Sequence, residues 1–152
     1  MRCKNSYKLP IKKEHVVDWS KIFSPAHKWP YNHSLDFLCE EGTPVYAAAS
    51  GVVVWLKDKS NEGGLSRSRY WNKGNRIVIK HRNGEYTAYE HLFYRSAVVK
   101  IGEKVRKGQL IGYSGNTGWS MFPHLHFEVF NEPVEDESEG ITMQVVFDEL
   151  RH

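Results

Sequence analysis

The sequence predicts an all-β domain, a compact and mostly antiparallel sheet or sandwich with an irregular segment at its N-terminus. Three observations carry this expectation. Short runs of β-branched and aromatic residues follow one another at close spacing, separated by turns that contain glycine. Asn83-Gly84 stands between two such runs, and Asn-Gly readily takes the left-handed backbone of a tight hairpin turn. The helical signal is weak throughout. At 152 residues the chain is long enough for one domain with a single core.

Taken in order, residues 1–31 form an irregular extension interrupted by Pro10, Pro25 and Pro30, with a short helix expected over 15–22. Residues 32–152 form the domain proper. The apolar run 35–39 ends in Cys39, which reads as a small buried hydrophobe. Residues 44–56 pass from small residues through Gly51 into a β-branched run. Residues 57–75 form a long polar loop, and Tyr70 and Trp71 near its end suit a groove wall. The runs 76–81 and 85–92 are the arms of the Asn-Gly hairpin. Strand 97–101, a turn at Gly102, Val105, a turn at Gly108 and strand 109–114 follow. The run 123–128 is a strand, 131–140 an acidic loop and 141–147 a last strand. No internal repeat is visible.

Composition narrows the functional classes. Hydrophobic residues make up 40% and charged residues 26%, ordinary values for a soluble globular protein. No run approaches the ~20 apolar residues of a membrane span, and the polar, basic start Met1-Arg2-Cys3-Lys4-Asn5 shows no signal peptide. Net charge is +3; setting aside Glu132, Glu135, Asp136, Glu137 and Glu139 leaves +8 on the remainder. A basic body suits an anionic polymer such as cell wall or nucleic acid, but a soluble surface with one acidic loop is the better account of the charge alone. The basic residues are scattered rather than interleaved with aromatics, so nucleic acid is not an expected partner. Cys3 and Cys39 are too few for a disulfide framework and lack zinc-ribbon spacing.

The chemistry is concentrated in Pro123-His124-Leu125-His126-Phe127-Glu128. In a strand, residues two apart share a face, so His124 and His126 stand together while Leu125, Phe127 and Val129 face a core. Such a pair can bind a metal or transfer protons; two solvated histidines at a strand end are the plain alternative. His91 and the turn from Asn32 to Asp36 add further candidates at strand ends. A hydrolytic zinc takes three nitrogen or oxygen ligands plus a water, whose pKa it lowers to about 7. Elsewhere, His15 and Asp18 read as surface and His81 as a solvated strand end. Trp55 and Phe127 read as core. Trp119 and Tyr113 suit either a groove or the core.

The segments Gly42–Ala48, Gly51–Val53, Gly74–His81, Tyr89-Glu90-His91-Leu92, Val105–Gly112, Ser114–Gly118 and His124–Glu128, in that order, resemble the M23 (lysostaphin/LytM-type) zinc metallopeptidases over about residues 32–130. The resemblance implies a fold of the duplicated hybrid motif type with a groove over one Zn2+ per chain. It implies that Asp36 and His126 are zinc ligands and that His91 and His124 handle the water and the tetrahedral intermediate; Tyr70, Trp71 and Trp119, groove candidates from their own positions, would then contact the substrate. The implied activity is hydrolysis of peptide bonds in peptidoglycan stems or cross-bridges, outside the cytoplasm; the sequence does not give the oligomeric state, and a monomer is assumed.

One position departs from the family. A histidine is expected four residues before the aspartate, and Asn32 stands there, with Ser34 in place of a glycine. His33 is the first choice for the third ligand if the loop is re-set. His27 further back and Asn32 through its oxygen are the alternatives. Loss of the ligand would leave a non-catalytic module that binds cell wall or a protein partner. A lipoyl- or biotinyl-like carrier reading of 105–112 lacks an attachable lysine at a clean hairpin tip and leaves the His-Leu-His strand unexplained.

Overall fold

The computed structural model describes residues 1–24, 27–28, 31–131 and 141–150. Among these, the strands are β1 (Leu35–Leu38), β2 (Pro44–Tyr46), β3 (Gly51–Lys57), β4 (Gly63–Gly64), β5 (Arg76–Lys80), β6 (Tyr86–Glu90), β7 (Lys104–Val105), β8 (Leu110–Tyr113), β9 (Gly118–Trp119) and β10 (His124–Phe130), with one short helix, α1 (Arg67–Tyr70). Six strands form a central sheet in the order β1-β10-β6-β5-β3-β7, every neighbouring pair antiparallel. β2 pairs antiparallel with β8, and β4 pairs parallel with β9. The all-β, mostly antiparallel class is as the sequence predicts. No helix among the described residues is long and apolar enough to cross a membrane.

The alternation of side chains gives the central sheet two unlike faces. Phe37, Val53, Ile77, Ile79, Tyr89, Leu125, Phe127 and Val129 project into the main core, all buried. The other face carries a small cluster of Val78, Tyr86, Ala88 and Phe130 beside Trp55, and on this face also lie Asp36, His126, Glu90 and Arg76. A slip of one residue in register would exchange the two sets, so burial of the main core holds the polar set in place.

The N-terminal extension packs into the same core. Tyr7, Leu9 and Ile11 are buried within it, and the carboxylate of Glu85, itself buried, accepts from the backbone N–H of Lys4 (2.6 Å) and Asn5 (3.1 Å) and from the Tyr7 hydroxyl (2.9 Å). The β5–β6 hairpin turns at Asn83 and Gly84, both left-handed with φ of 61° and 67°, as the Asn-Gly signal predicts.

Several expectations are corrected. Residues 15–22 form no helix but two 3-10 turns, Lys13–His15 and Trp19–Lys21. The chain instead runs along the outer edge of β1, with Val17 N–H bonded to the Leu38 carbonyl and Asp36 N–H to the Ile22 carbonyl. That segment covers an edge strand whose backbone groups would otherwise lack partners. Residues 44–56 divide into β2 and β3. The 57–75 loop contains β4 and α1. Residues 97–101 form no strand: Val98 N–H bonds the Ile111 carbonyl, but no ladder develops around it. Residues 141–147 meet three different segments through single bridges, at Phe130, Arg2 and Tyr7, so no continuous strand forms. His81 is buried rather than solvated, its Nδ1–H donating to the Ser50 carbonyl (2.8 Å) while Nε2 meets the Thr87 hydroxyl (2.7 Å). β3 closes over it so tightly that a Cβ on Gly51 would lie 2.2 Å from the Lys80 carbonyl oxygen. The acidic loop, from 132 to 140, lies outside the described residues, as do Pro25, Pro30 and His152.

Candidate active site

β1 and β10 are paired so that Asp36 stands opposite His126. Cross-strand partners project on the same face, and the Asp36 Oδ1 lies 3.2 Å from His126 Nδ1. His124, two residues earlier on β10, brings its Nε2 to 3.6 Å from the same oxygen. The strand period therefore delivers one carboxylate and two imidazoles to one spot, as the alternation in 123–128 predicts.

The third group is His27. Its Nδ1–H donates to the Ser34 carbonyl at 3.1 Å, which leaves Nε2 as the free lone pair, 3.4 Å from Asp36 Oδ2. His27, Asp36 and His126 offer donor atoms that all lie within 4.8 Å of one another. His33 is not in this group. It sits in the turn before β1 with its backbone N–H bonded to Thr142 Oγ1, and Asn32 is exposed. The edge-covering segment 17–22 precedes His27, which lies beside Asp36, so the nearer histidine in sequence is not the nearer one in space.

His91 enters from the end of β6. Glu90 pairs with His126, so a continuing strand would turn His91 to the core face. Its backbone is instead left-handed, with φ of 65°, a conformation uncommon outside glycine. This breaks the alternation and places the His91 ring 4.6 Å from the His124 ring and 6.0 Å from that of His126. Its Nδ1–H donates to the Thr117 carbonyl at 2.7 Å. Thr117 is held in turn by its hydroxyl, which donates to the Leu92 carbonyl and accepts from the backbone N–H of Asn75, a fully buried residue. A Cβ on Gly118 would lie 2.7 Å from the Gly74 backbone, so the two glycines allow this close approach beneath His91.

His124 is oriented the same way, with Nδ1–H donating to the Phe122 carbonyl at 2.7 Å. Both His91 and His124 thus have Nε2 available as a proton acceptor. Burial, then the neighbouring His124 and His126, pushes the His91 imidazole down to about 4. Burial also lowers His124, against the pull of Asp36. Both are neutral near pH 7. His126 behaves in the opposite way: burial disfavours its charge, but the carboxylates of Glu90, Asp36 and Glu128 outweigh it and hold the imidazole well above its ordinary value. Burial likewise works against Asp36, and His126 and the other imidazoles hold its carboxyl below the usual range.

Behind His126 lies a set that sequence reading missed. Glu128 accepts from His126 Nε2–H at 2.9 Å, and Glu90 reaches within 3.8 Å of the same nitrogen and pairs with Arg76 at 3.5 Å. The two-residue spacing of His126 and Glu128 in a strand was the available signal. The groove candidates gather around α1, β4 and β9. α1 presents Trp71, exposed, while Tyr70 packs on Gly64. β4–β9 pairing sets Trp119 beside Gly64, its indole N–H donating to the Leu65 carbonyl (3.1 Å) and its ring lying 5.4 Å beneath the Arg67 guanidinium. Arg67, Ser68 and Trp71 line a cleft of about 650 Å³.

Known proteins are similar to this chain in sequence and fold. A family model described as peptidase family M23 matches residues 30–137. Peptidoglycan DD-endopeptidase ShyA of Vibrio cholerae is 40% identical over 116 residues, 75% of this chain and 24% of that protein. DD-carboxypeptidase/endopeptidase Mpg of Neisseria meningitidis is 38% identical over 114 residues, 74% of this chain and 23% of that protein. The chain therefore spans about a quarter of the length of these relatives. Among solved structures, a zinc-containing peptidase from Vibrio cholerae superposes with a TM-score of 0.63 at 32% identity, covering 86% of this chain and 39% of that one. The catalytic domain of lysostaphin from Staphylococcus simulans does so with a TM-score of 0.56 at 32% identity, covering 75% of each. With the family model covering most of the chain, including Asp36, His91, His124 and His126, this protein belongs to peptidase family M23.

Proposed function

We propose that the chain is a zinc-dependent endopeptidase that hydrolyses peptide bonds in peptidoglycan stems or cross-bridges, acting outside the cytoplasm. The observation that carries this reading is the convergence of three donor atoms, from His27, Asp36 and His126, beside two further imidazoles whose Nδ1 protons are held on backbone carbonyls. One carboxylate and two neutral-capable nitrogens within one small space fit a single zinc with an open position. His27, rather than His33, completes the ligand set. Zinc bound there would acidify a water and polarise the scissile carbonyl.

The remaining work belongs to His91 and His124. Each holds its Nδ1 proton on a backbone carbonyl, so each Nε2 can accept a proton from the attacking water or, once protonated, donate to the oxyanion or to the leaving amine. Their low proton affinity keeps them in the accepting form near neutral pH. Tyr70, Trp71 and Trp119, with Arg67 over the Trp119 ring, form the wall along which the peptide lies.

The alternative, a non-catalytic module that binds cell wall or a protein partner, draws its support from Asn32 standing where the family has a histidine. His27 supplies an imidazole beside Asp36 and speaks for catalysis. Zinc content and cleavage of purified peptidoglycan, in the native protein and in His124→Ala and Asp36→Ala, test the reading. His124→Ala should keep about one zinc and lose turnover by a factor of about 100 to 10,000. Asp36→Ala should lose the zinc. Full activity in either variant would overturn the assignment.

A further inference from the structure

We propose that Glu128 is a positioning residue that fixes the ring of His126, holding its Nε2–H and thereby aiming Nδ1 at Asp36 and the metal position. The metal half of this inference rests on the zinc reading above; the orientation half does not.

The geometry begins in the sheet register. Asp36 on β1 is paired with His126 on β10, His126 with Glu90 on β6, and Glu90 with Arg76 on β5. These four residues form a row across four strands on one face, with acidic and basic groups alternating. Glu128 lies two residues beyond His126 on the same face, and the residue opposite it on β6 is Ala88. A single methyl there leaves room for the Glu128 side chain to lie along the sheet toward His126.

Two carboxylates approach His126 Nε2, but they do different things. Glu128 Oε1 is at 2.9 Å, within hydrogen-bond distance, and its side chain is fully buried. Glu90 Oε2 is at 3.8 Å, beyond that distance, and lies 3.5 Å from Arg76 Nε. Arg76 in turn lies over the Trp55 ring. A buried carboxylate is costly unless it is bonded; His126 Nε2–H satisfies Glu128 Oε1, while Oε2 is buried without a hydrogen-bond partner among the described residues and the Glu90 carboxyl lies close enough to interact with that of Glu128. Glu90 and Arg76 supply charge balance behind the contact. Turning the imidazole over would place ring carbons against both Asp36 and Glu128, so the two acceptors on opposite sides select one orientation. In the metal-free protein Nε2 carries a hydrogen whether or not Nδ1 does.

Two measurements on the full chain separate the halves. The first follows the His126 Nε2–H by nitrogen-15 NMR in the metal-free protein. In the native chain the proton should be present and protected from solvent exchange. It should remain visible in Glu128→Gln, whose amide oxygen still accepts, and should exchange rapidly in Glu128→Ala. The second measures zinc affinity by competition with a chelator. Glu128→Ala should bind zinc about 10 to 100 times more weakly, and Glu128→Gln should fall in between. An unprotonated Nε2 in the native chain would overturn the proposal, as would Glu128→Ala with native exchange and native affinity. If Glu128→Ala does not fold, Glu128→Gln decides by its affinity and the native chain by its Nε2 signal. A native chain that binds no zinc would overturn the zinc reading instead, with the exchange measurement still deciding the role of Glu128.

Discussion

Replacing His27 by alanine should remove most of the zinc affinity, and replacing His33 should not. His27 Nε2 faces Asp36 Oδ2 at 3.4 Å and is one of three donor atoms within 4.8 Å of one another. Structural zinc sites release about 10–16 kcal/mol through four ligands, so one ligand corresponds to about 3 kcal/mol, or a factor of about 100–200 in affinity. The truncation also removes the hydrogen bond from His27 Nδ1 to the Ser34 carbonyl, worth about 1 kcal/mol of stability in the metal-free protein. His33 offers a contrast, because its backbone N–H donates to Thr142 Oγ1, a bond that survives loss of the side chain. His33→Ala should therefore leave zinc affinity unchanged and stability within about 0.5 kcal/mol. Competition with a chromogenic chelator gives the affinities, and denaturant unfolding of the chelated protein gives the stabilities. Zinc lost in His33→Ala but kept in His27→Ala would refute the assignment and the argument that the edge-covering segment supplies the ligand.

Gly118→Ala should destabilise the protein by about 3 kcal/mol, since φ is 82° and the new Cβ would lie 2.7 Å from the Gly74 backbone; Gly102→Ala, with φ of 90° but open space, should cost only the strain of about 1–2 kcal/mol. Equal losses in thermal or denaturant unfolding would show that the close approach to Gly74 does not matter. Glu85→Ala removes the acceptor shared by Lys4, Asn5 and Tyr7 and should cost about 3 kcal/mol; a loss below about 0.5 kcal/mol would show that apolar packing alone holds the N-terminal extension. Burial lowers the His81 imidazole, so the folded protein resists a proton that the unfolded chain accepts near pH 6.5. Its contribution to stability is complete above that pH and is lost as pH falls toward the lower folded value. Unfolding free energy between about pH 7 and 5 should decline less steeply in His81→Gln than in the native chain, and parallel slopes would contradict this.

What the sequence determined on its own was whatever depends on local period and turn chemistry. The alternation through 123–130 is enough to put His124 and His126 on one face with Leu125, Phe127 and Val129 on the other, because a strand has period 2 whatever it pairs with. Asn83-Gly84 specifies its hairpin for a similar reason: Asn and Gly take positive φ at little cost. Strand propensity in 97–101 and 141–147 was no guide to sheet formation, since propensity supplies no partner and no ladder forms at either place.

The site itself needed the tertiary structure. That His27 rather than His33 stands beside Asp36 depends on backbone bonds between residues far apart, Val17 to Leu38 and Ile22 to Asp36, which return the chain beside β1. Consecutive residues Glu90 and His91 both face His126, which regular alternation forbids and which the left-handed backbone at His91 permits. Glu90, Arg76 and Asp36 join His126 through cross-strand register, a relation that no spacing within one strand encodes. Local rules say which way a side chain points along its own strand; only long-range pairing and burial decide which side chains it meets.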